Sequence, residues 1–359
     1  MKKPFDFVLF IVVMFLIFIG IMMVFSSSYY FALSLWKDKF LFFRKELIFA
    51  GVGLVLMVFF ALYDYRKLKK LSLPIMIVSI TFLIVVLTPL GIEVNGAKRW
   101  IDVGITTFMP SEFAKLACII FCASTMSNKG ENIKDFKNGV LPYILIIALN
   151  FCLILLQPNL STAVTISLIV ISMLFISGAK LSQLGIMMFA GILAIVGFAF
   201  SAEYRLKRMM TLLKPGSNPL GEGWQVTQSL YALGSGGIFG VGLGQSTQNK
   251  LYIPEPQNDF IFATIGEELG FIGVVFVLLL FLILIYRGIK IASTSKDLFG
   301  CLLASGISAM IAIQVIVNVG VASAILPATG IALPFISYGG NSLVIMMSSI
   351  GILLNISRH

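Results

Sequence analysis

Four of the chain's 16 acidic residues, Glu255, Asp259, Glu267 and Glu268, fall in the single stretch IPEPQNDFIFATIGEELG (253–270). Asp259 follows the polar pair Gln257–Asn258 and precedes the apolar run FIFATIG, so it stands where a polar loop runs into a hydrophobic segment. A carboxylate at such a boundary, partly shielded from water, suits general-base chemistry; the plainer alternative is a solvated loop acid. Glu267 and Glu268 lie about two turns further along the same expected helix, where they would orient helices or neighbouring cations. Glu255 reads as solvated loop. A second group sits in PSEFAKLACIIF (110–121), where Glu112 and Lys115 share a helical face and are close enough in sequence to pair. An ionisable group near a bilayer centre costs ~2.5 kcal/mol or more, so this pair is either functional or snorkelling at an interface.

Three further stretches place polar groups beside apolar runs. NGAKRWIDVG offers Lys98, Arg99, Trp100 and Asp102 in a short loop, either as an interface anchor or as a grip on a phosphate with a ring to stack on a sugar. LLQPNLSTA interrupts two runs with Gln157, Pro158, Asn159, Ser161 and Thr162, a tight turn whose polar groups face whatever occupies an outer cavity. LPFISYGGNSLV breaks another run at Pro334, Gly339 and Gly340, and irregular backbone at membrane depth requires burial in protein or a wet cavity. Ser337, Tyr338, Asn341 and Ser342 are therefore candidate cavity liners. Finally, GSGGIFGVGLG (234–244) has six glycines in 11 residues but fits neither a dinucleotide nor a Walker fingerprint. It is either a site of close backbone packing or an amide-rich surface open to a phosphate.

The elements that must position these groups follow from composition. The 359 residues are 58% hydrophobic and 12% charged, with a mean hydropathy of +1.01, too little charge to cover a soluble surface. Cys118, Cys122, Cys152 and Cys301 all lie in apolar runs without a CxxC pair, and His359 is the single histidine, which argues against a disulfide framework or a zinc site. The net charge of +10 fits basic loops against anionic headgroups and does not call for nucleic acid. With a ruler of ~20 apolar residues per span, ten runs appear, centred near Phe15, Leu54, Leu83, Ile119, Ile146, Val170, Leu193, Leu278, Ile311 and Met346. The expected fold is an all-α polytopic membrane protein, one domain over 1–359, with ten transmembrane helices and a large extracellular loop between helices 7 and 8. The first run lacks a cleavage pattern and is expected to be retained.

Ten spans put both termini on one side. That side carries 14 basic residues against six in the short connections opposite, so both termini are expected in the cytoplasm and loop 202–265 outside. Within that loop RLKRMMTLLK (205–214) has the pattern of an interfacial amphipathic helix; GWQVTQSLYAL repeats it with Val226, Ser229, Leu230 and Leu233, and KPGSNPLGEG between them is turn sequence.

Taken together, NGAKRW, PSEFAKL, QPNLSTA, YRLKRM, QSLYALGSGGIFGVGLG, PEPQNDFIFATIGEELG and LPFISYGGNSL…GILLNISR, in that order, resemble the SEDS family of bacterial cell-wall proteins (RodA, FtsW and SpoVE). PEPQNDFIF and LPFISYGG lean toward the FtsW and SpoVE branch. The resemblance implies an inverting peptidoglycan glycosyltransferase of the bacterial cytoplasmic membrane that polymerises lipid II for division, elongation or sporulation. Its partners would be a class B penicillin-binding protein and other divisome or elongasome membrane proteins. It also implies that Asp259 is the catalytic base and a possible metal ligand. Arg99, Trp100, Glu112, Lys115, Gln157, Lys45, Glu268, Ser337 and Tyr338 would bind the substrate and its undecaprenyl-pyrophosphate-linked glycan. No organic cofactor is implied, and a divalent cation (Mg2+ or Mn2+) has a natural place at the leaving pyrophosphate. Asn159 stands where many relatives have aspartate and is given no catalytic role. The basic residue expected before the second run falls on Arg44 or Lys45. The alternatives are a lipid II flippase, which would need paired gates and usually internal repeats, and a non-catalytic scaffold for a transpeptidase.

Overall fold

The computed structural model describes residues 4–94, 96–104, 106–200, 223–248 and 255–359. Its α-helices are α1 (Phe7–Trp36), α2 (Leu41–Leu62), α3 (Tyr65–Val85), α4 (Pro110–Met126), α5 (Leu141–Leu155), α6 (Leu160–Ile176), α7 (Leu181–Phe200), α8 (Trp224–Ser235), α9 (Ile261–Thr294), α10 (Leu298–Ala322) and α11 (Gly340–Ser357). Local chemistry sets several starts. Asp6, Asp64, Asn159 and Asp297 cap α1, α3, α6 and α10 through their side chains, and Pro110 occupies the first turn of α4. Seven helical segments among the described residues are long and apolar enough to cross a bilayer, and α6 and part of α7 are shorter apolar helices. Phe18, Val55, Phe276 and Leu282 are among the large apolar side chains left exposed on these helices, as expected of surfaces that face lipid. The chain is a multi-pass membrane protein. Each of the ten apolar runs is centred inside one of α1–α7 or α9–α11.

The all-α expectation needs one correction. Residues expected as a short loop form a three-stranded antiparallel sheet: β1 (Gly91–Val94), β2 (Ala97–Asp102) and β3 (Thr107–Phe108), with Ile92 opposite Trp100 and Ile101 opposite Phe108. Asn95-Gly96 between alternating apolar residues is a strong hairpin signal. Counting apolar runs passes over it because each strand is too short to register.

The two chain ends meet at one end of the helix array. The Asp6 carboxylate accepts from Arg287 Nε (2.8 Å) and from the Leu9 amide (3.0 Å), while the Asp6 amide donates to Ser357 Oγ (3.1 Å). Asn355 accepts from the Tyr65 amide (3.0 Å) and donates to the Ala61 carbonyl (2.9 Å). Along its length α11 packs on α2 backbone to backbone: a Cβ at Gly351 would stand 2.3 Å from the Met57 carbonyl oxygen.

The glycine-rich segment is fastened to a break in α9. Gly270 has φ 68° and ψ −168°, a conformation open essentially to glycine alone, so the helix is interrupted there. The break strips partners from the carbonyls of Glu267 and Glu268 and from the amides of Phe271 and Ile272. The glycine segment supplies all four. Val241 and Gly242 amides donate to the carbonyls of Glu267 (2.9 Å) and Glu268 (3.1 Å), and the Gly237 and Ile238 carbonyls accept from Phe271 (2.9 Å) and Ile272 (3.2 Å). Of the two sequence readings, close packing is the one observed. A Cβ at Gly240, where φ is +80°, would lie 2.2 Å from the Glu268 carbonyl oxygen. Left-handed backbone alone costs a non-glycine residue roughly 1–2 kcal/mol. Gly240→Ala should therefore raise hydrogen exchange at the Val241, Gly242, Phe271 and Ile272 amides by about tenfold or more relative to amides in α11, since ~1.4 kcal/mol is a factor of ten. Unchanged exchange would show that the segment is not held by this contact.

Of the two amphipathic helices expected in the long loop, 205–214 lies outside the described residues. The second is α8, and it is seated on protein: Val226 packs with Phe260 and Val321, and Ser229 Oγ donates to the Ala322 carbonyl (2.7 Å).

Candidate active site

The end opposite the chain termini gathers most of the residues singled out from sequence. Glu112 opens α4, where the unpaired amides of the first turn favour a carboxylate, and Lys115 lies one turn deeper. They form the expected ion pair at 2.8 Å, with side chains only 11% and 4% exposed. Glu112 Oε2 is buried and makes no hydrogen bond. Gln157 is fully buried beside the C-terminal end of α3; its Nε2 donates to the Leu83 carbonyl (3.1 Å), and its Oε1 is left without a partner. Arg99 reaches from β2 to this turn, donating to the carbonyls of Gln157 and Pro158. Trp100, next to it, is half-buried and pairs with Ile92 in the sheet. Arg99 thus fastens the sheet to the α5–α6 turn, and Asn159 caps α6 through the Thr162 amide at 3.3 Å.

The broken start of α11 closes another side. Pro334 to Ile336 is buried against α1, where a Cβ at Gly20 would meet the Phe335 carbonyl oxygen at 2.2 Å. Ser337 is engaged within its own turn, its hydroxyl accepting from the Leu333 amide (2.8 Å), so burial in protein and not a cavity explains it. Tyr338 is half-buried, stands edge-on to Phe42 at 4.9 Å, and through its amide donates to the Gln257 carbonyl (2.8 Å). Asn341 Nδ2 donates to the Thr107 carbonyl (2.7 Å), joining this segment to β3.

Asp259 lies two residues before α9, half-buried, on a segment held by Tyr338 through Gln257 and by Asn318 through its own carbonyl. The other acids of the stretch divide as their surroundings dictate. Glu255 is exposed and accepts from Asn258 Nδ2 (2.7 Å). Glu267 is 1% exposed and accepts from Ser246 Oγ (2.5 Å), the Thr247 amide (2.8 Å) and Thr247 Oγ1 (2.8 Å). Glu268 is equally buried and accepts from Ser26 Oγ at 2.6 Å. These two glutamates latch the end of the glycine segment and α1 onto the broken helix. Their observed partners are hydroxyls and amides, in line with helix orientation, one of the two roles expected from the sequence.

A family model described as "Cell cycle protein", covering FtsW, RodA and SpoVE, matches residues 6–359. The chain belongs to this family. It is 45% identical over 355 residues to the stage V sporulation protein E of Bacillus subtilis, covering 99% of this chain and 97% of that protein. It is 40% identical over 366 residues to a Trichlorobacter lovleyi protein named "Probable peptidoglycan glycosyltransferase FtsW", covering 99% and 95%. Among solved structures, a chain from a peptidoglycan synthase complex described as coordinating polymerization and crosslinking matches with a TM-score of 0.83 at 28% identity, over 99% of this chain and 98% of that one. The rod shape determining protein RodA of Thermus thermophilus matches with a TM-score of 0.74 at 27% identity, over 99% and 97%. The similarity to SpoVE and FtsW agrees with the branch to which the motif wording leans.

In this SEDS protein the structure also shows polar residues that the sequence reading passed over. Of the two candidates for the family's basic position, Lys45 is exposed on α2 and Arg44 pairs with Asp38. The next residue, Glu46, is the buried one: it is 1% exposed and faces the Gly339 amide at the start of α11. A carboxylate inside an apolar run was its available signal. Asn318 of α10 and Ser26 of α1, the first of three consecutive serines, were hidden in the same way, as polar residues within long hydrophobic segments.

Proposed function

We propose that this SEDS protein is a peptidoglycan glycosyltransferase in bacterial cell-wall synthesis, polymerising lipid II at the outer face of the cytoplasmic membrane. The observation that carries this reading is a half-buried carboxylate, Asp259, at the same end of the helix array as the buried Glu112–Lys115 pair. Ten spans, with both termini cytoplasmic, would place that end outside, where the sugars of a lipid-linked substrate stand above tails held in the bilayer.

In this reading Asp259 takes the proton from the 4-hydroxyl of the acceptor N-acetylglucosamine. The freed oxygen attacks the anomeric carbon of the donor muramyl sugar, and the bond to undecaprenyl pyrophosphate breaks with inversion. A single displacement needs one positioned base, unlike the carboxylate pair of most glycosidases. Charge gathers on the departing pyrophosphate, and Lys115 and Arg99 are the cations proposed to meet it. A divalent cation is compatible with the donor set. No three His, Cys, Asp or Glu side chains gather among the described residues, but Mg2+ is commonly held by one or two carboxylates plus substrate phosphates. Asp259 would hold such an ion together with the donor pyrophosphate, and the ion would neutralise leaving-group charge. A class B penicillin-binding protein is the proposed partner, in keeping with the synthase complex whose chain this protein resembles.

The test is gel-resolved polymerisation of labelled lipid II by the purified protein, with and without a candidate transpeptidase, beside a lipid II translocation assay in vesicles. Long glycan strands are the expected product. Translocation without polymer under every condition would replace this reading with the flippase.

A further inference from the structure

The segment that carries Asp259 is irregular, and so is the segment 323–339 beside it; neither has a helix or strand of its own to fix its position. One side chain joins them. Asn318, 1% exposed near the outer end of α10, donates from Nδ2 to the Asp259 carbonyl (2.9 Å) and to the Ile331 carbonyl (2.9 Å). A side-chain amide nitrogen has two protons, and both are used here. At Gly330, the residue before Ile331, a Cβ would stand 3.7 Å from Asp259 Oδ2. α10 is among the most enclosed of the long helices, so Asn318 is a fixed point from which two irregular segments are hung.

We propose that Asn318 is the positioning residue for Asp259: by holding the main-chain carbonyls of residues 259 and 331 together, it sets the direction of the carboxylate and its distance from the 330 backbone. This rests on the reading of Asp259 as the base. A functional group must be held within about 0.5 Å of its productive position, and a misplacement of ~1 Å is worth about 100-fold in rate. Aspartate at 318 would have the same shape but no amide protons, and alanine would remove both bonds.

Two measurements test the proposal. In the first, kcat and KM for lipid II polymerisation are determined for wild type, Asn318→Asp, Asn318→Ala and Asp259→Asn, each with its melting curve. The expected result is a fall in kcat of about 100-fold in a folded Asn318 variant with KM little changed. In the second, Asp259→Cys and Gly330→Cys are combined in a background where Cys152 and Cys301 are serine, and the rate of disulfide formation is followed with Asn318 and with Asn318→Ala. The cross-link should form readily with asparagine and about tenfold more slowly with alanine, corresponding to ~1.4 kcal/mol of lost order. Equal cross-linking rates, an unchanged kcat in folded Asn318→Asp, or a loss of activity that merely follows loss of folded protein would overturn the proposal. Full polymerisation by Asp259→Asn would overturn the base assignment alone, because the cross-linking rate reports the tether without reference to turnover.

Discussion

Asp259→Asn should abolish glycan polymerisation while leaving a folded protein. Proton removal by a positioned base contributes about 10²–10⁴-fold to rate, and an amide of the same shape cannot accept the proton. Folding should survive because the substitution leaves two backbone bonds of this segment in place: Asn318 holds the Asp259 carbonyl, and the neighbouring Gln257 carbonyl accepts from Tyr338. The check is polymerisation measured by strand length on gels, with melting temperature and partner co-purification recorded for the same preparation. Wild-type strand lengths from a folded Asp259→Asn protein would remove Asp259 from the chemistry. A variant that melts early would instead move its role into folding.

The Glu112–Lys115 pair should show the second large effect, and in two stages. Removing one partner of a buried pair leaves an uncompensated charge and costs about 3–5 kcal/mol. Lys115→Met and Glu112→Gln should each lower thermal stability sharply, since both side chains are nearly inaccessible to water. The double variant Glu112→Gln/Lys115→Met should regain most of that stability, because two neutral groups of similar volume need no partner. It should not regain polymerisation if Lys115 answers the charge of the departing pyrophosphate. Melting in detergent and polymerisation rate, measured on the three variants together, separate the two roles. Wild-type rates from the double variant would make the pair purely structural.

Both expectations depend on features that differ in how far they were legible without coordinates. The apolar runs were, because transfer of side chains into hydrocarbon is additive along the chain and a span is a local property. So was the Glu112–Lys115 contact, since three residues of helix bring two side chains to one face. The position of Asp259 at the edge of an apolar run could likewise be read directly. The sheet over 91–108 was available in Asn95-Gly96 and missed, because strands of a few residues vanish beneath a window sized for spans.

Other features belong to the tertiary structure alone. The glycine segment could have been open or packed; what closed it was a set of four backbone groups left unpaired by a helix break at Gly270. Ser26 and Glu268 are 242 residues apart, and Asn318 and Asp259 are 59 apart. Nothing local to any of these residues names its partner. The sequence by itself determined which segments are apolar and helical and which carboxylate stands at the edge of an apolar run, because hydrophobic transfer and helical periodicity act between neighbours. Only the tertiary structure decided which side chains hold that carboxylate's backbone and which glutamates serve as latches, because a buried carbonyl or amide takes whatever partner the packed helices bring within reach.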